Sequence, residues 1–314
     1  MAQKSGLFHH VAGLGLSLLL ALSIAPLTPA LQVDTPARVL VISLDGARPD
    51  AILQAQTPHI QALARRGAVT WQAQTVLPPA TLPAHASLLT GLSVEGHGVT
   101  WNDNAPFRPI LAAPTFLALA HQAGYTTAMV VGKEKLRQFN QEGVDDYTFV
   151  RNGDGGVADR VIALLEAGYQ VIFAHFPNPD YFGHLSGWMS EQYLYELGVT
   201  DTRIGRVLSA LEALGLAGST LIILTADHGG HGFAHGADIP EDRLVPWLVA
   251  GPGVVPGTEL NGPVSVADTA ATVLWALGLP LPEQAMGRPV CAAFGLEPAA
   301  GAGETCRAAT SPGG

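Results

Sequence analysis

Along the chain, short runs of almost unbroken apolar residues alternate with longer segments in which apolar positions recur every three or four residues. The runs RVLVISL (38–44), TTAMVV (126–131), QVIFAHF (170–176), STLIILT (219–225) and VPWLVA (245–250) have too few polar breaks for strands wetted on one face. They read as central strands of a sheet covered on both sides. Between them, TFLALAHQAG (115–124), GGVADRVIALLEAG (155–168), the segment from Glu191 to Leu216 and VADTAATVLWALG (266–278) carry helical spacing, and several close on Gly. Glycine there suits the left-handed residue that ends many helices. Strand and helix in alternation predict an α/β fold with a mostly parallel central sheet and helices on both faces. No repeat or linker divides the chain, so a single domain over 31–297 is expected, with an unstructured tail at 298–314.

The first thirty residues change the picture of where the protein works. Lys4, the apolar run VAGLGLSLLLALSIA and the small residues around Thr28-Pro29-Ala30 have the layout of a cleaved signal peptide. That predicts a secreted or periplasmic protein with no stable membrane span once the leader is removed; an uncleaved anchor is the other reading. An exported chain whose two cysteines are Cys291 and Cys306 invites a disulfide near the C-terminus. A formal net charge of -10 argues against a surface for a nucleic-acid polymer or an anionic membrane, which would need a basic patch. It does not exclude a small anionic substrate, because bound metal ions reverse the local field of a carboxylate-rich pocket.

The chemistry-bearing residues gather just after the apolar runs. Asp45 follows the first, Asp180 and His184 the run at 170–176, and Asp227 and His228 the run at 219–225, with His231 and His235 close behind. Open α/β sheets bind ligands at the carboxyl ends of their strands. Each residue alone has a plain reading as a turn former or a surface imidazole. Together, three carboxylates and several histidines supply about the six donors that two zinc ions need, with a position on each left for substrate. A metal pair ~3.5–4 Å apart stabilises both the attacking and the departing oxygen in a phosphoryl displacement. The stretch TLPAHASLLTG (81–91) adds a hydroxyl at a helix start: Thr81 is either an N-cap or a nucleophile placed where a helix N-terminus favours an anion.

Five motifs in order, LDGARPD, TLPAHASLLTGLSVEGHGV, DYFGH, TADHGG and HGADIPEDRLVPWLVAGPGV, make the chain from about Arg38 to Val255 resemble the alkaline phosphatase superfamily. Within it the likeness is to the type I phosphodiesterase/nucleotide pyrophosphatase branch. The resemblance implies an alkaline phosphatase-like three-layer sandwich and two Zn2+ ions, for which Mn2+ or Fe can substitute. Asp45, Asp227 and His228 would hold the ion beside the nucleophile Thr81, and Asp180, His184 and His235 its partner. His235 rather than His231 takes the third place because it stands directly before the ADIPEDRLVPW stretch, as the family's ligand does. Asn102 would donate to a phosphate oxygen, with Asn104 as the neighbouring alternative, while His85 and His97 pack the nucleophile helix and its following loop. A small phosphate ester is the implied substrate, cleaved at a phosphodiester or pyrophosphate bond through a phosphothreonine.

Departures from the family pattern keep two other readings open. Leu82 stands where an aromatic usually follows the nucleophile, and Ala84 where an Asn precedes the His. Lys133 and Lys135, in VVGKEKLR, resemble the substrate-binding lysines of phosphonoacetate hydrolases and point to a phosphomonoesterase or phosphonate hydrolase. Sulfatase chemistry needs a Cys or Ser to mature into formylglycine, and position 81 is Thr. An exported metal-binding protein without catalysis is the reading from another class.

Overall fold

Continuous apolar runs become the centre of the sheet because their side chains leave water on both faces. The computed structural model describes residues 1, 35–105, 107–298 and 306–308, so the expected leader lies outside the described residues. Eight strands form one sheet: β1 (Arg38–Leu44), β2 (Ala68–Gln74), β3 (Thr127–Val131), β4 (Asp146–Phe149), β5 (Val171–Phe176), β6 (Thr220–Thr225), β7 (Leu244–Ala250) and β8 (Thr258–Glu259). Their order is β4-β3-β5-β1-β6-β7-β2-β8. Only β7 runs against its neighbours, and the remaining pairs are parallel. The mostly parallel sheet read from the apolar runs is therefore present.

The five apolar runs are β1, β3, β5, β6 and β7, and nearly every residue in them is buried. Three strands carried no such signal. β2 alternates, β4 is half-buried throughout, and β8 has two residues. Strands toward the edges are covered less completely, so their sequences are not apolar throughout.

Among the described residues ten α-helices surround the sheet: α1 (Pro49–Gln54), α2 (Pro58–Arg66), α3 (Thr81–Thr90), α4 (Val94–His97), α5 (Phe116–Gln122), α6 (Gly153–Glu166), α7 (Asn178–Ser186), α8 (Glu191–Ala213), α9 (Pro240–Arg243) and α10 (Asp268–Ala276). α5, α6, α8 and α10 occupy the segments with helical spacing. Every residue of α3 is buried, so the helix that opens at Thr81 is enclosed by protein. No helix among the described residues is long and apolar enough to cross a membrane.

Register sets the location of the site. Leu44 pairs with Phe176 and Ser43 with Thr225, so β5, β1 and β6 end level with one another. Asp45, α7 with Asp180, and Asp227 thus leave the sheet along one edge. Gly46 holds a left-handed φ of +69°, and a β-carbon on it would stand 2.9 Å from the Cα of Asp180. A glycine is required there for the loop after β1 to meet α7.

Cys291 and Cys306 are joined in a disulfide, which the chain-entropy relation values at about 3 kcal/mol for so short a loop. It pins a strand: β9 (Leu296–Pro298) pairs antiparallel with β10 (Cys306–Ala308). The expectation of an unstructured tail from Pro298 therefore does not hold for Cys306–Ala308, while 299–305 and 309–314 lie outside the described residues.

A buried carboxyl ties α6, α7 and α8 together. Asp154 Oδ1 accepts from the Asn178 amide at 3.0 Å, and its Oδ2 accepts from the Thr200 hydroxyl. Burial pushes its carboxyl up to about 7. The folded state therefore holds a proton that the unfolded chain releases near pH 4, so this group's contribution to stability falls as pH rises from about 4 to 7. The upper bound is about 4 kcal/mol. Asp154→Asn should consequently be more stable than the wild type in urea at pH 8, with the difference shrinking toward pH 4. An equal difference at both pH values would contradict this assignment.

Candidate active site

Thr81 is the first residue of α3, and Ala80 occupies the cap position without a side-chain hydrogen bond. The Thr81 hydroxyl is therefore not a helix cap. It is fully buried, and Oγ1 stands 3.4 Å from His228 Nε2. One turn on, His85 Nδ1 donates to the Thr81 carbonyl at 2.8 Å, which leaves Nε2 to accept from the Ser43 hydroxyl at 2.9 Å. Burial holds its imidazole well below the usual range, so the ring is neutral. His97 accepts the Val99 amide on Nδ1 and bonds the Ser87 hydroxyl through Nε2. Both histidines thus brace α3 and the loop behind it.

Three histidines beside the carboxylates share one tautomer. His184, His228 and His235 each donate Nδ1–H to a backbone carbonyl, of Phe233 (2.9 Å), Gly229 (2.8 Å) and Pro79 (3.0 Å) respectively. Their Nε2 lone pairs are left facing inward, the arrangement in which an imidazole ligates a metal. Burial lowers the His228 ring, and burial with the neighbouring His228 brings His235 down to about 4, so both are neutral at ordinary pH. These two rings stack with centroids 3.8 Å apart.

Three buried carboxylate oxygens, Asp45 Oδ1, Asp180 Oδ1 and Asp227 Oδ2, accept no hydrogen bond. Buried acceptors without a donor are costly, and they cluster where an ion belongs. His228 Nε2 stands 3.4 Å from Asp45 Oδ1 and 3.4 Å from Asp227 Oδ2. His184 Nε2 and His235 Nε2 stand 3.4 Å and 3.6 Å from Asp180 Oδ1. Tetrahedral zinc with ligand bonds of ~2.0–2.1 Å implies ligand atoms ~3.4 Å apart, so the donor set fits the ion.

Two trios have ligand atoms within 4.8 Å of one another: Asp180, His184 and His235, and Asp45, Asp180 and His228. The first is the trio that the resemblance implies for the partner ion. In the second, Asp180 stands where Asp227 was expected. Asp227 nonetheless adjoins it, with Oδ1 bound to the amides of Gly46 (3.1 Å) and His228 (3.0 Å) and Oδ2 turned inward. Burial and the charge of Asp45 push the Asp227 carboxyl well up. Asp45 goes the other way: burial opposes its charge, but Lys133 and His175 outweigh it and hold the group well below the usual range.

His231 turns elsewhere, its Nδ1 2.7 Å from Oδ1 of the buried Asp242. Asn102 Oδ1 accepts from the Leu82 amide at 3.0 Å and from Lys135 Nζ at 2.9 Å. Both partners are donors, which fixes the oxygen toward them and leaves the Asn102 NH2 to donate elsewhere. Asn104 is exposed and held by Arg137 and Glu134. Lys133 Nζ lies 2.7 Å from Asp45 Oδ2 and 2.5 Å from Asp180 Oδ2.

Sequence reading missed His175, whose Nε2 is 2.8 Å from Asp45 Oδ2. Its signal was a polar residue inside the apolar run QVIFAHF. Beside the centre opens a cavity of about 570 Å³, lined by Lys133, Arg151, Asn178, Asp180, Tyr181 and His184 among others. Arg151 forms no ion pair among the described residues; its guanidinium lies 5.0 Å from the centroid of the Phe149 ring.

Residues 39–245 match the type I phosphodiesterase / nucleotide pyrophosphatase family. The chain belongs to that family. It is 26% identical over 216 residues to a bis(5'-adenosyl)-triphosphatase of Bos taurus, covering 62% of this chain and 48% of that protein. Thus the chain spans about half the length of that relative. Among solved structures, an inactive murine ectonucleotide pyrophosphatase/phosphodiesterase in complex with AMP aligns with a TM-score of 0.68 at 16% identity, covering 78% of this chain and 96% of that one. A 2-O glycosaminoglycan sulfatase aligns equally well, with a TM-score of 0.68 at 17% identity over 83% of this chain and 74% of that one. At such identities the structural likeness shows the alkaline phosphatase-like fold that this family shares with sulfatases.

Proposed function

We propose that the chain is a secreted or periplasmic two-zinc phosphohydrolase that cleaves phosphodiester or pyrophosphate bonds through a phosphothreonine at Thr81. The observation that carries this reading is a buried, non-capping hydroxyl at a helix start, 3.4 Å from His228 and beside three carboxylate oxygens that lack a donor. Asp45, Asp227 and His228 would hold the ion next to Thr81, and Asp180, His184 and His235 its partner; Mn2+ or Fe could replace zinc. Such ions lower the pKa of the nucleophile and neutralise the phosphoryl oxygens.

The remaining steps belong to the chain. Thr81 Oγ1 forms a bond to phosphorus as the bond to the leaving oxygen breaks, and its proton passes to solvent. The α3 N-terminus and the Asn102 NH2 face the charge that builds on the phosphoryl oxygens. Water then attacks phosphorus as the bond to Thr81 Oγ1 breaks, which releases a phosphomonoester and returns a proton to the Thr81 hydroxyl.

Two observations favour a leaving group that is itself anionic, as in pyrophosphate cleavage. The cavity beside Asp180 and His184 is large enough for a nucleoside, and Arg151 brings it a positive charge with no acidic partner among the described residues. Tyr181, 59% exposed at the cavity, offers an aromatic face, whereas Leu82 is fully buried and cannot stack on a base. The reading as a phosphomonoesterase or phosphonate hydrolase drew on Lys133 and Lys135, yet Lys133 pairs with Asp45 and Asp180, and Lys135 with Asn102. Lys133 thus meets two carboxylates of the chain itself, which favours the first reading.

Initial rates of the zinc-loaded protein on bis(5'-adenosyl) triphosphate, bis(p-nitrophenyl) phosphate and p-nitrophenyl phosphate test the reading. The first two should be cleaved much faster than the third. A monoester preference would favour the second reading, and no product from any of them would favour a metal-binding protein without catalysis.

A further inference from the structure

We infer that His175 and Lys133 are positioning residues that grip Asp45 and Asp180 by their Oδ2 atoms, so that each aspartate presents Oδ1 alone to a metal ion. This rests on the two-metal reading above and assigns the two side chains a part in it. The Gly132 amide donates to His175 Nδ1 at 3.2 Å, which fixes the proton on Nε2, and Nε2–H donates to Asp45 Oδ2 at 2.8 Å. Lys133, the next residue after Gly132, reaches the same Asp45 oxygen at 2.7 Å and Asp180 Oδ2 at 2.5 Å. The opposite oxygens, Asp45 Oδ1 and Asp180 Oδ1, are the buried pair without a hydrogen bond. The chain's hydrogen-bond donors thereby occupy Oδ2 of each carboxylate and leave the Oδ1 lone pairs for a metal ion.

The arrangement depends on how β3 ends. A β-carbon on Gly132 would lie 2.3 Å from Pro177 Cγ, so only glycine lets the chain after β3 lie against the start of α7. That approach delivers the Gly132 amide to His175 and the Lys133 ammonium to both aspartates at once. Asp45 follows β1 and Asp180 lies in α7 after β5, so one ammonium fixes the relative placement of carboxylates from two separate loops. Outer partners of this kind commonly matter 10–100-fold for metal affinity.

Removing Lys133 has two opposing effects, because freeing the carboxylates weakens metal binding while deleting a positive charge strengthens it. His175 donates through Nε2 while its Nδ1 accepts from the Gly132 amide, so replacing it isolates orientation. The experiment is zinc affinity and stoichiometry, by competition with a chromophoric chelator, for the full chain and for His175→Leu, His175→Gln, Lys133→Met and Lys133→Arg, each first shown by near-UV circular dichroism to be folded without metal. His175→Leu should weaken at least one zinc ~10–100-fold, whereas in Lys133→Met the lost positive charge offsets part of the loss. His175→Gln and Lys133→Arg, which keep donors, should recover part of that loss. Unchanged or tighter zinc binding in His175→Leu would overturn the inference, as would zinc binding in Lys133→Arg no different from that in Lys133→Met. So would a KM increase confined to dianionic monoesters with zinc affinity intact in Lys133→Met, which marks a substrate anchor. Failure of the wild type itself to bind zinc would instead overturn the two-metal reading beneath it.

Discussion

Replacing Thr81 with alanine should leave both metal ions bound and lower turnover on the preferred ester by about 10⁴-fold or more, the scale seen when a covalent nucleophile is deleted. The structure separates this outcome from mere loss of a helix cap, which costs about 1 kcal/mol of stability and spares chemistry. Ala80 takes the cap position in extended conformation, and the Thr81 hydroxyl lies 3.4 Å from His228 Nε2. The backbone carbonyl of Thr81, which accepts from His85, is unaffected by the change, so α3 should stay in place. Thr81→Ser keeps the oxygen and should retain a measurable fraction of activity. Acid quench during turnover, followed by peptide mass analysis, should find the phosphoryl half of the substrate, a nucleotidyl group when the ester is bis(5'-adenosyl) triphosphate, on the peptide holding Thr81. Full activity in the alanine variant, or a quench that never traps a substrate-derived phosphoryl adduct there, would sink the covalent route.

The central strands and the acidic residues that follow them were legible because both follow from simple burial. A strand covered on both faces has to be apolar throughout, and a charged residue directly after it has to sit at the sheet's edge. Asp45, Asp180 and Asp227 all obeyed this. β2 and β4 were missed because partial cover leaves polar residues in the run, and α7 because NPDYFGHLS has no apolar stripe. The choice between cap and nucleophile for Thr81 turns on a helix start shifted by one residue, finer than periodicity can fix. Lys133 illustrates a different limit. Its sequence context beside Lys135 suggests a substrate-facing pair, but its partners Asp45 and Asp180 come from other loops, and only the closeness of Gly132 to Pro177 brings them together.

His235 and His231 lie four residues apart in one loop, and exchanging either for alanine should give opposite results. His235→Ala should lose one of two zinc ions and lower turnover by at least ~10²-fold, because it removes a direct donor where outer partners alone are worth 10–100-fold. His231→Ala should keep both ions. The geometry divides the roles: His235 Nε2 points at Asp180 Oδ1 from 3.6 Å, with its Nδ1 fixed by the Pro79 carbonyl just ahead of α3. His231 instead closes its own loop on Asp242, whose second oxygen holds the Ala237 amide at 2.8 Å. Losing His231 should therefore loosen the segment that presents His235, a modest cost in stability rather than in stoichiometry. Metal analysis after gel filtration reads the difference directly. Two ions in His235→Ala together with one in His231→Ala would reverse the assignment and require the His231–Asp242 pair to open when metal binds.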